Sequence, residues 1–97
     1  MERITQRDLE AVCTRVNRTM NGRDDVPEWI RDENGTLRAS VGVYALSGAY
    51  GGWALHRIVN EGGGVIDVFG CGHMPKRELY GRMHAFLRGY EEAHRAS

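Results

Sequence analysis

Residues 70–73, with the sequence GCGH, carry the side chains most typical of a chemical site. Cys71 and His73 are two residues apart, so they could supply two metal ligands, or a nucleophile and its base. Zinc sites normally use two such pairs, and the other cysteine, Cys13, and the other histidines do not form a second pair. A cysteine nucleophile also needs a group that orients the histidine and donors for an oxyanion, and the sequence identifies neither. We therefore predict that the protein is not an enzyme and has no catalytic residues, no metal site and no cofactor.

A set of basic residues forms a candidate anion-binding site. Lys76 and Arg77 follow Pro75 at the predicted start of a helix, where unpaired backbone N–H groups attract anions. Together with His73 and Arg57 they could hold a small anionic ligand, such as a signalling nucleotide, or nucleic acid. The formal net charge of zero provides no general attraction for nucleic acid or for an acidic membrane surface. The alternative interpretation is that all these charges are solvated.

Four aromatic residues form a candidate protein-binding surface: Trp29, Tyr44, Tyr50 and Trp53. Trp29 interrupts a polar stretch, and the other three lie in or beside predicted strands. Tryptophan and tyrosine are enriched among the residues that dominate protein interfaces. The alternative is that these aromatic residues complete a small core.

The 97 residues allow only one domain, with a single small core, to position these candidates. The first helix is predicted over about 5–21, because Thr5 and Asp8 form a capping box and Asn21–Gly22 provides a left-handed end. Apolar residues recur at helical spacing on one side of this helix and predict that Cys13 is a core thiol.

A polar loop is predicted over 22–36, and a meander of three strands follows it. The strands are predicted over about 37–46, 53–60 and 65–69, with glycine-rich turns at 47–52 and 61–64. A second helix over about 75–93 carries a broad apolar stripe. The order predicts an α+β domain over 1–97 of the type α-β-β-β-α: a three-stranded antiparallel sheet with two helices on one face and the other face open. The pattern does not decide which face of the second strand is buried.

The composition predicts a globular cytosolic protein. Apolar residues make up 41% and charged residues 27% of the chain, and no apolar run approaches the ~20 residues of a membrane span. The charged N-terminal segment lacks the apolar region of a secretory signal, so free thiols are favoured over a disulfide. Lys76 is the only lysine among 13 lysine and arginine residues, a ratio typical of a GC-rich genome.

Three segments resemble a recurrent family of short, functionally uncharacterised proteins of tailed bacteriophages and prophages. The segments are ITQRDLEAV (4–12), LSGAYGGWALHRIVNEGGGV (46–65) and GHMPKRELYGRMHAFLRG (72–89). The resemblance covers most of the chain and implies a viral protein acting in the host bacterial cytoplasm, but it assigns no role to any residue. The order of elements also resembles the double-stranded RNA-binding domain, although ELYGRMHAFL replaces the alanine-rich last helix of that family.

The sequence therefore favours a non-enzymatic phage accessory protein. In this hypothesis it is a small binding module for a host or phage protein, with a homodimer as a further candidate assembly and no membrane partner. The alternative hypothesis is a binder of a small anionic ligand, or of nucleic acid, at the basic residues.

Overall fold

The computed structural model describes residues 3–22 and 27–95. Helix α1 spans Gln6–Asn21, and its predicted capping box is confirmed. The Asp8 N–H donates to the Thr5 hydroxyl oxygen at 3.2 Å, and the Thr5 N–H donates to the Asp8 carboxylate at 2.8 Å. Gly22, with φ 74°, ends the helix in the left-handed conformation. The buried face is the predicted one: Leu9, Val12, Cys13 and Val16.

The predicted loop over 22–36 contains a short strand. Strand β1 (Trp29–Arg31) pairs antiparallel with β2 (Leu37–Ala39) in a separate two-stranded sheet. The Asp32 carboxylate closes the turn between them by accepting the N–H groups of Asn34 and Thr36, both at 2.9 Å. Residues 23–26 of the predicted loop lie outside the described residues.

The strand predicted over 37–46 is two strands, because a tight turn interrupts it. The Val43 N–H donates to the Ser40 carbonyl at 3.2 Å, and Gly42 adopts a φ of 92°. This positive φ cannot continue an extended strand. Strand β3 (Tyr44–Ala49) begins after the turn and belongs to a different sheet from β2.

Strands β3, β4 (Gly52–Ile58) and β5 (Val65–Asp67) form a three-stranded antiparallel sheet in that order. Tyr50 and Gly51 make the two-residue turn between β3 and β4, with φ values of 55° and 74°, as in a type I′ hairpin. Past β5, a bridge between Trp53 and Met74 extends the pairing along the outer edge of β4, with two N–H···O=C bonds of 2.8 Å. The predicted α+β class and the order of helix, strands and helix are confirmed.

Helix α2 (Lys76–Arg95) packs with α1 on one face of this sheet. Leu79, Met83 and Leu87 of α2 are buried in the main core with Leu9 of α1 and Leu55 of β4. The sequence pattern did not decide which face of β4 is buried against the helices. The structure shows that it is the face of Leu55, whose neighbours in sequence point to the other side of the sheet.

The opposite face of the sheet is covered at one end. Val43 and Ile58 lie on this face and form a second, smaller buried cluster with Ala39 of β2. The expectation of a fully open sheet face is therefore wrong at this end, because the extra hairpin β1–β2 supplies a cover that the predicted polar loop did not include.

Candidate functional site at the tip of the hairpin

Tyr50 occupies the tip of the β3–β4 hairpin with an unusual backbone conformation and an exposed ring. Its side chain is 98% exposed, and it is the only non-glycine residue with positive φ among the described residues. The first position of a type I′ turn favours asparagine, aspartate or glycine. A tyrosine in this conformation costs on the order of 1 kcal/mol, and the exposed ring returns almost nothing through burial.

Three polar side chains lie beside Tyr50 on the sheet face that points away from the helices. The Ser47 hydroxyl oxygen and His73 Nε2 are 3.0 Å apart. The His73 ring lies edge-on to Tyr50, with centroids 5.8 Å apart, and to His56, with centroids 6.1 Å apart. Ser47 and His56 alternate along their strands with Leu46 and Leu55, which face the core. We call Ser47, Tyr50, His56 and His73 the tip face.

The loop over 68–73 positions His73. The Asp67 carboxylate accepts the N–H groups of Phe69 and Gly70, both at 3.2 Å, and of Gly72 at 2.8 Å. Gly70 and Gly72 have φ values of 67° and 72°, and the loop needs glycine at both positions because other residues rarely adopt this left-handed conformation. Cys71 is exposed and its thiol donates to the Phe69 carbonyl at 3.3 Å. The GCGH segment therefore builds a loop that delivers His73 to the sheet.

A serine hydroxyl and a histidine at this distance resemble the nucleophile and base of a hydrolase. Catalysis of that type also needs a group that orients the second ring nitrogen of the histidine. Asp67 is paired with His56 in the sheet, but its oxygens already accept three backbone N–H groups. No group of three or more His, Cys, Asp or Glu side chains among the described residues is placed to hold a metal ion. The Ser47 hydroxyl and the rings of His56, His73 and Tyr50 can form hydrogen bonds and aromatic contacts.

The four aromatic residues predicted to form one surface are separated in space. Tyr50 is exposed, but Tyr44 is buried and packs near Phe86 of α2, with ring centroids 6.1 Å apart. The prediction for Tyr44 is wrong because the register of β3 turns it toward the helices. Trp53 is half-buried on the same side, and a Cβ at Gly48 would lie 3.3 Å from its ring.

Trp29, the fourth of these aromatic residues, belongs to the other sheet. It is 43% exposed, and its ring covers Gly63, where an added Cβ would lie 2.6 Å from it. Trp29 therefore packs the β1–β2 hairpin against the turn between β4 and β5, away from Tyr50.

Of the predicted anion-binding residues, Arg57 is separated from His73 by the sheet. Arg57 lies on the helix side of β4, about 13 Å along the strand from Trp53, whereas His73 lies on the opposite face. Lys76 lines a cavity of about 480 Å³ with residues of the hairpin tip, and Arg77 is exposed in the first turn of α2.

Sequence reasoning missed Ser47 and His56 as site residues. Both lie at alternate positions of predicted strands, so the sequence carried a signal that they share a face. The sequence did not show that the two residues are neighbours, because this depends on the register of β3 against β4. The structure pairs Ser47 with Ala54 and His56 with Ala45.

The fold and the tip face define a small α+β protein with an exposed, strained aromatic residue above a polar sheet face. No family model, curated protein or solved structure matches the chain. Within the described residues, neither helix has the combination of length and apolar character that crossing a bilayer requires.

Proposed function

We propose that this protein is a non-enzymatic binding module, encoded by a phage and acting in the host bacterial cytoplasm, that engages a host or phage protein through the tip face. The main support for this proposal is the backbone conformation and the exposure of Tyr50. Tyr50 has a positive φ, which is unfavourable for a residue with a Cβ and so opposes folding. Its side chain is almost fully exposed. A tyrosine in that position is far better suited to a partner's pocket than to the fold, and tyrosine is enriched among interface hot spots.

The neighbours of Tyr50 support the same function. The His73 ring lies edge-on to Tyr50, with centroids 5.8 Å apart, and adds a second aromatic group to the tip face. Ser47 and His56 lie next to His73 and add hydrogen-bonding groups to the tip face, and polar residues of this kind form the rim of most protein interfaces. The proposed phage origin rests on the resemblance of the three sequence segments.

The alternative function, binding of a small anion or of nucleic acid, has weaker support. Lys76 lies at the hairpin tip near Trp53, which precedes Arg57 by four residues along β4, and His73 lies on the other face of the sheet from Arg57. Arg57 and His73 therefore do not converge on one anion.

A photo-crosslinking amino acid placed at position 50 tests the proposed function in host cells. We expect a discrete crosslinked partner at position 50 and none at position 88, an exposed site on α2. The purified partner should then bind Tyr50→Asn at least about 10-fold more weakly than the wild type, as expected for a hot spot.

Tyr90→Asn is the matched control, because Tyr90 is a tyrosine of α2 outside the tip face. It should bind the partner like the wild type. Equal binding by Tyr50→Asn and the wild type, or crosslinks of the same pattern from positions 50 and 88, contradicts the proposal. A crosslink to a second copy of the chain identifies a homodimer and also contradicts it.

A further inference from the structure

Strand β3 is an edge strand: among the described residues, β4 is the only strand that pairs with it. Asn17 of α1 hydrogen-bonds the backbone of its first residue: the Asn17 side chain accepts the Tyr44 N–H at 2.7 Å and donates to the Tyr44 carbonyl at 2.9 Å. Tyr44 therefore points its backbone away from β4. Because backbone direction alternates in an antiparallel pair, Leu46 and Gly48 also point their N–H and C=O groups away from β4.

A groove runs beside this edge. It lies between α1 and β3, has a volume of about 350 Å³, and includes Leu46 among its lining residues. The strand sequence, YALSGA, has no lysine and no proline, the residues that commonly protect an edge from pairing. Within residues 3–22 and 27–95, nothing pairs with this edge over Leu46 and Gly48, beyond the point where Asn17 closes it, so a further strand could add there.

The groove is acidic. Glu10 of α1 and Glu28 line it, and the Glu10 carboxylate accepts a hydrogen bond from the neutral side chain of Gln6, at 3.1 Å. Cys13 also lines the groove; burial raises the pKa of its thiol to about 11, and the charges of Glu28 and Glu10 raise that pKa as well. The two carboxylates therefore create a negative potential where a peptide side chain would enter.

We propose that the open edge of β3 binds an extended peptide segment carrying a lysine or arginine, which adds to the sheet as a strand. The peptide backbone pairs with the outward groups of Leu46 and Gly48, and its basic side chain enters the groove beside Glu10 and Glu28. Strand addition of this kind takes affinity from backbone hydrogen bonds and specificity from side-chain pockets. The inference rests on the proposed function in one respect: the peptide belongs to the protein that the tip face contacts, since β3 ends at Ala49, next to Tyr50.

The groove favours a foreign peptide over a second copy of the chain. In a twofold pairing of β3 with itself, each copy would bring its own α1, Glu10 and Glu28 to the shared edge. Like charges would then face each other, which disfavours the pairing. A basic peptide has the complementary charge and no helix beside its strand.

A displayed library of random 12-residue peptides provides the probe. We expect the selected peptides to share an apolar or β-branched stretch with a lysine or arginine. In a synthetic copy of a selected peptide, single N-methylation of backbone amides should weaken binding about 10-fold at alternate residues and leave the intervening residues unaffected. Alternation is specific to strand pairing, and its absence overturns the inference.

Variants of the protein test the charge. Replacing both glutamates, Glu10→Gln with Glu28→Gln, should weaken the peptide about 10-fold and reduce the dependence of its affinity on salt. Glu33→Gln is the control, since Glu33 is exposed in the turn between β1 and β2. Equal affinity of the double variant and the control for the peptide also overturns the inference, as does light scattering that shows a dimer whose edge competes with the peptide.

The two proposals fail separately. If Tyr50→Asn leaves partner binding intact while N-methylation shows the alternating pattern, strand addition stands and the tip face is not the docking site. If the crosslink at position 50 identifies a partner but the N-methylated peptides all bind alike, the tip face stands and the edge of β3 is not used.

Discussion

The two faces of the β3–β4 hairpin are made by neighbouring residues of the same strands, yet they differ in polarity and in packing. On the helix side, Leu46 and Leu55 pair with each other and pack into the main core. On the other side, Ser47 and His56 lie beside His73 under an exposed tyrosine. A chain of 97 residues has one small core, so one face must supply stability. Within the hairpin, the other face near the tip and the outer edge of β3 are then left for binding.

The largest expected difference between the faces is in the free energy of unfolding, at two adjacent positions of β4. Leu55→Ala removes a fully buried side chain from the main core and should destabilise the protein by about 2–5 kcal/mol. His56→Ala removes a half-buried ring from the tip face and should change stability by no more than about 0.5 kcal/mol. Urea unfolding followed by circular dichroism measures both. Similar losses at the two positions contradict the division of the hairpin into a stabilising face and a binding face.

The helices were predictable because their signals are local. Thr5, Asp8 and Gly22 fix the ends of α1 whatever the rest of the chain does, and each acts within one turn. The strands were less predictable. All three residues of β1 are exposed, so its sequence shows no alternation of buried and exposed residues. Between β2 and β3, apolar residues continue to alternate through the turn at Gly42, so the sequence pattern does not show that the strand is interrupted there.

The candidate site was predicted only in part, because its geometry depends on strand register. The exposure of Tyr50 follows from its place between glycine-rich segments. The burial of Tyr44 and the contact of Ser47 with His73 require the pairing of β3 with β4 and the closure of the loop by Asp67. These contacts join residues distant in sequence, so no local pattern reveals them.

The buried thiol of Cys13 and the exposed thiol of Cys71 should affect the pH dependence of stability differently. Burial raises the pKa of the Cys13 thiol from its ordinary value of 9.0 to about 11, and the charges of Glu28 and Glu10 add to the rise. Because the folded protein holds the proton more tightly than the unfolded chain, this stabilisation is complete below about pH 9 and is lost as the pH rises toward about 11. The loss amounts to about 2–3 kcal/mol, a little over 1 kcal/mol per pH unit.

Urea unfolding at pH 8 and pH 11 checks this linkage in three proteins. Cys13→Ser removes the buried titrating thiol and should show a smaller loss of stability than the wild type between the two values. Cys71→Ser replaces the exposed thiol and should lose as much stability as the wild type. If Cys13→Ser and the wild type lose the same amount, the thiol of Cys13 is not shielded by the core.

The smallest expected effect concerns Tyr50 and has the opposite sign. Tyr50→Asn should stabilise the protein by about 0.5–1 kcal/mol, because asparagine adopts positive φ at the first position of a type I′ turn more readily than tyrosine. Loss of the edge contact with His73 offsets part of this gain. Tyr50→Ala is the control, since alanine removes the ring but keeps a Cβ in the left-handed conformation, and it should bring no gain. Thermal and urea unfolding compare the three proteins. A Tyr50→Asn variant less stable than the wild type means that the tyrosine serves the fold after all, and the main support for a binding role at the tip is then lost.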